Sequence, residues 1–141
     1  MKLSVKSDYA ARAVLGLARH HQSPVARRVE ELAEEQGVPP NYLLQILLEL
    51  KAQGIVRSVR GKEGGYLLAR APGQITLGDV LRSVHGAVFD SPALDKAGSG
   101  CPEELHRAWQ RLQQTLDRTA DAINFQQLLD ERSAKENAYS I

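Results

Sequence analysis

The chain has 141 residues, of which 43% are hydrophobic and 25% are charged, and its formal net charge is +1. This size and composition predict one soluble domain with a buried core, and they exclude an intrinsically disordered chain. Because no apolar run reaches the roughly 18 residues of a membrane span, and the first residues lack the apolar stretch of a secretory signal, we expect a cytoplasmic protein with no membrane partner.

Two short helices are predicted at the start of the chain. Ser7 caps the first, with Asp8 in its first turn, and apolar residues recur at helical spacing until the helix ends near His20. The second covers residues 29–36 and stops at Gly37, because glycine readily adopts the left-handed conformation of a helix end.

The third predicted helix, residues 40–53, has a buried face and an outward face. A proline in its first turn and a glycine after its end are the usual asymmetry of helix termini. Asn41 and Gln45 point outward, flanked by Tyr42 and Leu44. Two short helices joined by a glycine-containing turn, the second with exposed amides, form a helix-turn-helix pattern. At 100° per residue, one face gathers four apolar side chains that should join the core: Leu43, Ile46, Leu47 and Leu50.

The stretch 55–69 predicts a β-hairpin with a glycine-rich tip. Residues 55–59 are β-branched and alternating, residues 66–69 are apolar, and Pro72 prevents further extension. A phosphate-binding loop is not favoured, since its glycines would lead into a helix rather than a second strand. A hairpin directly after a helix of this kind is a wing. The predicted fold class is therefore mainly α with a small β-hairpin wing, a winged helix-turn-helix.

Charge is unevenly distributed along the chain. Residues 1–85 carry 12 basic and 8 acidic side chains, whereas residues 86–141 carry 6 and 9. Five of the basic residues and one acid lie within 51–70. One edge near the wing is therefore expected to face a polyanion, with a merely solvated loop as the alternative. Glycines at the tip let the backbone approach a surface closely, and Arg60 and Lys62 supply charge for phosphates.

The C-terminal part is predicted to form a dimer element. Thr76, with Asp79 three residues later, begins a fourth helix that closes near His85. A long helix then runs from Pro102 to about Ile123, and a terminal helix follows it. We therefore divide the chain into a winged helix-turn-helix DNA-binding domain at 1–85, a loop at 86–101, a dimerisation helix and terminal helix at 102–129, and a frayed tail at 130–141.

Apolar residues recur along the long helix at alternating spacings of four and three. A seam of this kind needs a partner helix, and an intramolecular partner remains the alternative to a second copy of the chain. Its members are Leu105, Trp109, Leu112, Leu116, Thr119 and Ile123.

The chain resembles the Rrf-two family of bacterial winged helix-turn-helix transcriptional regulators. The resemblance extends from Met1 to about Leu129 and is weaker across 87–104. It implies a homodimeric transcription factor, more often a repressor, that binds a two-fold symmetric operator, and it implies no enzyme. The matching motif elements are Tyr42-Leu43, Gln45, Gly54, Ser58, Arg60-Gly61, Gly64-Gly65-Tyr66, Leu68 and Ile75-Thr76-Leu77.

The same resemblance implies which residues contact DNA. They are Asn41, Tyr42 and Gln45 on the third helix and Ser58 and Arg60 on the wing. To these we add three residues of the wing tip, Lys62, Gly64 and Gly65. For Tyr42 and Tyr66, packing in the core is the alternative. A winged-helix module whose main ligand is another protein is the alternative for the whole chain.

The signal that the protein senses is less defined by the sequence. Cluster-binding members of the family carry three cysteines in the loop before the long helix, whereas residues 86–100 contain none and Cys101 is the only cysteine. We therefore expect no metal and no cofactor. The alternative is a [2Fe–2S] cluster with non-standard ligands, for which the candidates are Asp8, Cys101 and His106. A solvated or dimer-interface position is the alternative for His106.

Three interpretations of Cys101 stay open. It is a small apolar filler, a thiol switch beside a helix N-terminus that makes the regulator redox-responsive, or a ligand of an unusual cluster. No pattern of nucleophile and base, and no pair of carboxylates in a defined cleft, points to catalysis.

Overall fold

The computed structural model describes residues 3–94 and 100–138. Within these ranges the fold is mostly helical with one two-stranded antiparallel sheet, so the predicted fold class is confirmed. None of the helices in this part of the chain has the length and hydropathy that crossing a membrane requires. In chain order the elements are α1 (Val5–Arg19), α2 (Val29–Gln36), α3 (Pro40–Ala52), β1 (Val56–Val59), β2 (Gly65–Leu68), α4 (Leu77–His85), α5 (Glu103–Ala122) and α6 (Phe125–Ala138), with 3-10 turns at Pro72–Gln74 and Pro92–Leu94.

Helix α1 begins earlier than the sequence predicted. Its cap is Ser4, whose Oγ accepts a hydrogen bond from the backbone N–H of Ser7 at 3.0 Å. The prediction that Ser7 caps the helix is therefore wrong, and Ser7 lies buried in the first turn. Two serines spaced by three residues both meet the chemical requirement of a cap. The earlier one is used because Ser4 Oγ also lies 2.6 Å from His85 Nε2 at the end of α4.

The core lies where α1, α2 and α3 pack around the hairpin and α4. The four α3 side chains predicted to be buried are at most 1% exposed, which confirms the face assignment. Phe125, the first residue of α6, is fully buried in the same cluster. Burying one such ring contributes roughly 1.5–3 kcal/mol. The C-terminal helix is thereby fixed to the N-terminal part of the chain.

The turn between α2 and α3 is built as predicted. Gly37 adopts the left-handed conformation, with φ of 67°, and its N–H donates to the carbonyl of Ala33. Val38 then inserts its side chain into the core and also donates its N–H to Ala33, at 3.0 Å. Helix α3 begins at Pro40 and ends at Ala52, one residue short of the predicted end.

The sheet contains a pairing that the sequence did not predict. Strands β1 and β2 pair with Ser58 opposite Tyr66 and Val59 opposite Gly65. On the other side of β2, Arg27 forms an isolated antiparallel bridge with Tyr66. The Arg27 N–H donates to the Tyr66 carbonyl at 2.9 Å, and the Tyr66 N–H donates back at 2.7 Å. The wing is therefore tied through its second strand to the residues that precede α2.

Helix α6 extends further than the sequence predicted. Asn124 caps it, since its Oδ1 accepts from the Gln127 N–H at 2.9 Å while Gln127 Oε1 accepts from the Asn124 N–H at 2.8 Å. The helix continues to Ala138 rather than fraying from residue 130. Side-chain pairs four residues apart support this extension, among them Arg132 with Glu136 at 3.0 Å. Residues 139–141 of the predicted tail lie outside the described residues.

Helix α4 is joined to α5 by charged side chains. The predicted capping box is present, with Thr76 and Asp79 each accepting from the other's backbone N–H at 3.0 Å. Arg82 donates from both terminal nitrogens to Asp121, at 2.8 and 2.9 Å, and from one of them to Asp117 at 3.4 Å. The hydrogen bonds from Arg82 lower the pKa of Asp121, and those to Asp121 raise the pKa of Arg82. We call Arg82, Asp117 and Asp121 the α4–α5 clamp.

The clamp should stabilise the fold in a pH-dependent way. A double-mutant cycle of Arg82→Ala and Asp121→Ala should give a coupling of about 0.5–1 kcal/mol in urea unfolding at low salt, because the bond is bidentate but its groups are only partly buried. Since the folded-state pKa of Asp121 is lowered, this coupling should be complete above the ordinary carboxyl pKa of about 4 and be lost as pH falls through the lowered value. The exposed Glu103–Arg107 pair, at 3.0 Å within one helix, is the control and should couple more weakly. Equal coupling in both pairs would contradict the clamp.

Candidate nucleic-acid interface

The outward face of α3 exposes the polar residues that the sequence predicted there. Asn41 and Gln45 are exposed, because the opposite face of the helix fills the core. Tyr42 is exposed as well and packs edge-on against Tyr9, with 5.7 Å between ring centroids. Arg12 lies over the other ring of this pair, 5.7 Å from the Tyr9 centroid. The ring of Tyr42 is therefore exposed at the surface while its packing against Tyr9 holds it in place.

A carboxylate on this face of α3 is neutralised by α1. Lys6 Nζ lies 2.9 Å from Glu49 Oε1, and both side chains are partly exposed. An unpaired carboxylate beside Gln45 would repel a polyanion. The sequence did not predict this pair, because it joins residues that are 43 positions apart.

The wing carries basic side chains on its solvent side. Arg57 and Ser58 are exposed on β1, and Arg60 and Lys62 are exposed at the tip. Arg28 Nη2 donates to the backbone carbonyl of Lys62 at 2.7 Å, which holds the tip close to the start of α2. Ser58, Arg60 and Lys62 are thus all accessible from solvent. For the contact of Arg28 with the tip, the sequence offered only its positive charge as a signal.

Arg27, next along the chain, does not add to the positive surface. Its guanidinium pairs with two acids of α2, Glu35 and, at 3.4 Å, Glu31. Both carboxylates pair with Arg27, whereas Arg28 donates its hydrogen bond to the wing tip. Neighbouring arginines of the same charge therefore have different roles, which are set by the helical spacing of the acids in α2.

The two glycines of the wing have a packing role that the sequence did not predict. A side chain on Gly64 would collide with the carbonyl of Val59, and one on Gly65 would collide with the carbonyl of Arg27. Gly65 has φ of 155° and precedes Tyr66, whose ring is buried in the core. The core alternative thus applies to Tyr66. The contact of Gly64 and Gly65 with DNA stays a prediction.

The candidate cluster ligands do not form a site in one chain. Asp8 pairs with Arg12 at 2.8 Å inside α1. His106 is buried, and its Nδ1 donates to the carbonyl of Ala93 at 2.8 Å, so the solvated alternative for His106 is wrong. Cys101 is half-buried just before α5. Among the described residues, no group of three or more His, Cys, Asp and Glu side chains is arranged to hold a metal ion. The residues that the structure describes therefore do not fit an iron–sulfur cluster within a single chain.

The seam predicted on α5 divides into two parts. In the first half of the helix, Leu105 and Leu112 are 43% and 41% exposed, with Trp109 half-buried between them. In the second half, Leu116 and Ile123 are half-buried, and with the exposed Thr119 they line a groove of about 600 Å³ shared with α4 and the start of α1. Within one chain, the second half of the seam is therefore covered more than the first half, and the choice between an intramolecular partner and a second copy stays a prediction.

A helix-turn-helix followed by a hairpin, with a polar helix face beside a basic wing, defines a DNA-binding winged-helix protein. Comparison with known proteins agrees with this class of protein. The model of the Rrf2 family, described as an iron-dependent transcriptional regulator, matches residues 3–131. The helix-turn-helix transcriptional regulator IscR of Cronobacter sakazakii is 32% identical over 146 residues, covering 97% of this chain and 89% of that protein. The chain belongs to the Rrf2 family of transcriptional regulators, and it is not an enzyme.

Solved structures have the same fold. IscR of T. potens aligns with a TM-score of 0.76 and 29% identity, covering 94% of this chain and 88% of that one. CymR, the global cysteine regulator of B. subtilis, aligns with a TM-score of 0.78 and 24% identity, covering 93% of this chain and 98% of that one. At that identity the second comparison supports the fold alone.

The packing role of Gly65 can be tested by adding a methyl group. Gly65→Ala should lose about 2 kcal/mol or more in chemical unfolding, because its Cβ meets backbone atoms that cannot move aside. The control is Gly73→Ala, whose Cβ would lie 3.8 Å from Gln126 Cβ and should change stability by no more than about 0.5 kcal/mol. If Gly65→Ala is as stable as the wild type but binds DNA weakly, the glycine serves the interface and not the packing.

Proposed function

We propose that this member of the Rrf2 family is a homodimeric repressor that acts in the cytoplasm and binds a two-fold symmetric operator. The observation that carries the proposal is the polar outward face of α3, with Asn41 and Gln45 free of the core, beside a wing that exposes Arg60 and Lys62. Amide side chains can make paired hydrogen bonds with base edges in the major groove, and cations on the wing neutralise phosphates.

The arrangement divides the contacts between two roles. Gln45 and Asn41 read bases from α3, with Tyr42 at the edge of the helix. Ser58, Arg60, Lys62 and the backbone of Gly64 and Gly65 meet the DNA backbone or a groove edge. The hydrogen bond from Arg28 to the wing tip supports this division, because a fixed wing holds its cations at a constant distance from α3.

Dimerisation is proposed through the first half of α5. Exposed leucines at 105 and 112 on one side of a helix form an apolar stripe that a second copy of the same helix would cover. Half-buried Trp109, between them, provides a large ring for that contact. A symmetric dimer would supply two α3 helices, one for each half of a two-fold symmetric operator.

A redox response through Cys101 stays a prediction from the sequence. The position of Cys101 supports such a response. Cys101 lies two residues before α5, so a modification there would occur next to the proposed dimer helix. We propose that the protein binds DNA without a cluster, which is supported by the engagement of Asp8 with Arg12 and of His106 with Ala93.

Base reading and phosphate contact can be separated by mutation. Using the tightest-binding duplex enriched from a random pool, Gln45→Ala should cost about 1–3 kcal/mol of specific binding with the fold intact. Lys62→Ala should weaken all duplexes alike and reduce the slope of log affinity against log salt by about one unit. Arg107→Ala removes the same charge from α5, outside α3 and the wing, and is the control. It should change neither the specific affinity nor the salt slope. Equal losses on random and selected DNA for Gln45→Ala would remove that residue from base reading.

The proposed dimer can be disrupted at two exposed positions. The double variant Leu105→Asp, Leu112→Asp should be a folded monomer at micromolar concentration, because it places four carboxylates in an interface that excludes water. Changing Gln110 and Gln114 to Asp, on the opposite side of the same helix, is the matched control and should leave a dimer. Light scattering and circular dichroism provide the measurements. A wild-type protein that scatters as a monomer would contradict both the dimer and the symmetric operator.

A further inference from the structure

The outward face of α3 holds two large apolar side chains that the core does not use. Leu44 is 42% exposed and Leu48 is 51% exposed. They lie four residues apart on the helix, so they are neighbours on its surface. At 100° per residue, Leu48 lies about 20° from Asn41 on the side away from Gln45, and Leu44 lies about 40° beyond Leu48. An exposed apolar pair therefore lies directly beside the two amides on the outward face.

We propose that Leu44 and Leu48 are specificity-determining residues that bind the 5-methyl groups of thymines in the major groove. The proposal rests on the proposed function, in which α3 enters that groove. Among the four bases, thymine alone presents a methyl group at its major-groove edge, and apolar side chains are the ones that contact it. The pair would make the preferred half-site contain thymine where the two leucines lie.

Leucine also discriminates against the other bases. It has no donor or acceptor, so at the edge of a guanine, adenine or cytosine it would exclude water from polar atoms without replacing their hydrogen bonds. At a thymine the same side chain covers a methyl group instead. Burying one methyl contributes about 0.8 kcal/mol, which corresponds to about a fourfold change in affinity.

The surroundings of the pair favour DNA over a protein partner. Exposed Lys51 lies about one turn further along α3, and the wing that follows the helix adds exposed Arg57 and Arg60. A stable protein interface needs about 800 Å² from each partner, and two leucines set among polar and basic groups supply a small part of that. The surface proposed for a second copy of the chain is a separate one on α5, at Leu105 and Leu112.

Replacing thymine by deoxyuridine tests the proposal directly, because it removes the methyl group and keeps the base pairing. A binding duplex is first enriched from a random pool, and each of its thymines is then replaced singly by deoxyuridine. For the wild-type dimer, at least one replacement in each half-site should weaken binding about fourfold. Scrambled duplex with the same composition measures binding without specificity.

Variants assign the effect to the two leucines. Leu44→Ala and Leu48→Ala should each bind the selected duplex more weakly and should lose the sensitivity to deoxyuridine at one thymine. Leu44→Met keeps an apolar side chain of similar length and should keep that sensitivity. Gln45→Ala, which changes the neighbouring amide, should bind weakly but stay sensitive to deoxyuridine. Both leucines are well exposed, so the fold should survive, as circular dichroism can verify.

The outcomes separate this proposal from the one on which it rests. If every deoxyuridine replacement leaves affinity unchanged while the selected duplex is still bound far more tightly than the scrambled one, methyl recognition is overturned and the regulator stands. The same holds if Leu44→Ala and Leu48→Ala keep the full sensitivity to deoxyuridine. If no duplex is preferred to the scrambled one, the proposed function fails and the inference fails with it.

Discussion

The structure depends on the burial of one row of side chains on α3. Leu43, Ile46, Leu47 and Leu50 are at most 1% exposed and pack with α1, α2 and the strands in a single core. Because four of its positions are fixed in this way, the helix cannot rotate about its axis without removing leucines from the core, at about 2–5 kcal/mol for each side chain lost. The opposite face, with Asn41, Gln45 and Leu48, is therefore presented in one orientation.

The wing is positioned by a different physical constraint, the pairing of backbone groups around Tyr66. The ring of Tyr66 is buried, and its N–H and carbonyl both pair with Arg27 while Ser58 lies opposite on β1. A two-stranded hairpin alone is marginally stable in water, so the additional bridge and the buried ring are what make this one rigid. Gly65 permits the close approach of Arg27, and Arg28 adds the contact with Lys62. These contacts hold the basic side chains of the wing tip, Arg60 and Lys62, in a defined position relative to α2.

Much of this arrangement could be predicted from the sequence because it depends on local patterns. The α3 faces follow from helical periodicity, Gly37 from the geometry of a helix end, and the Thr76–Asp79 box from its spacing. The bridge of Arg27 to Tyr66, the pair of Lys6 with Glu49 and the α4–α5 clamp join residues that are far apart in sequence. No periodicity encodes such contacts. The cap of α1 was assigned wrongly since two serines satisfied the same local rule, and only the contact of Ser4 with His85 distinguishes them.

The contacts between the winged domain and α5 bear on how a signal could reach DNA. Arg82 holds Asp121 near the C-terminal end of α5, and the backbone of Leu77 donates to the carbonyl of Ile123 at 2.9 Å. The buried Phe125 then fixes the start of α6 in the core. The C-terminal end of α5 therefore moves with the winged domain, whereas its N-terminal half, next to Cys101, exposes Leu105 and Leu112. In the dimer proposed above, α5 would act as a lever, since a small rotation of its N-terminal half against the second copy would displace the winged domain. In that proposed dimer the distance between the two α3 helices would depend on the start of α5, and the proposed redox response at Cys101 would change operator binding without contact between that residue and DNA.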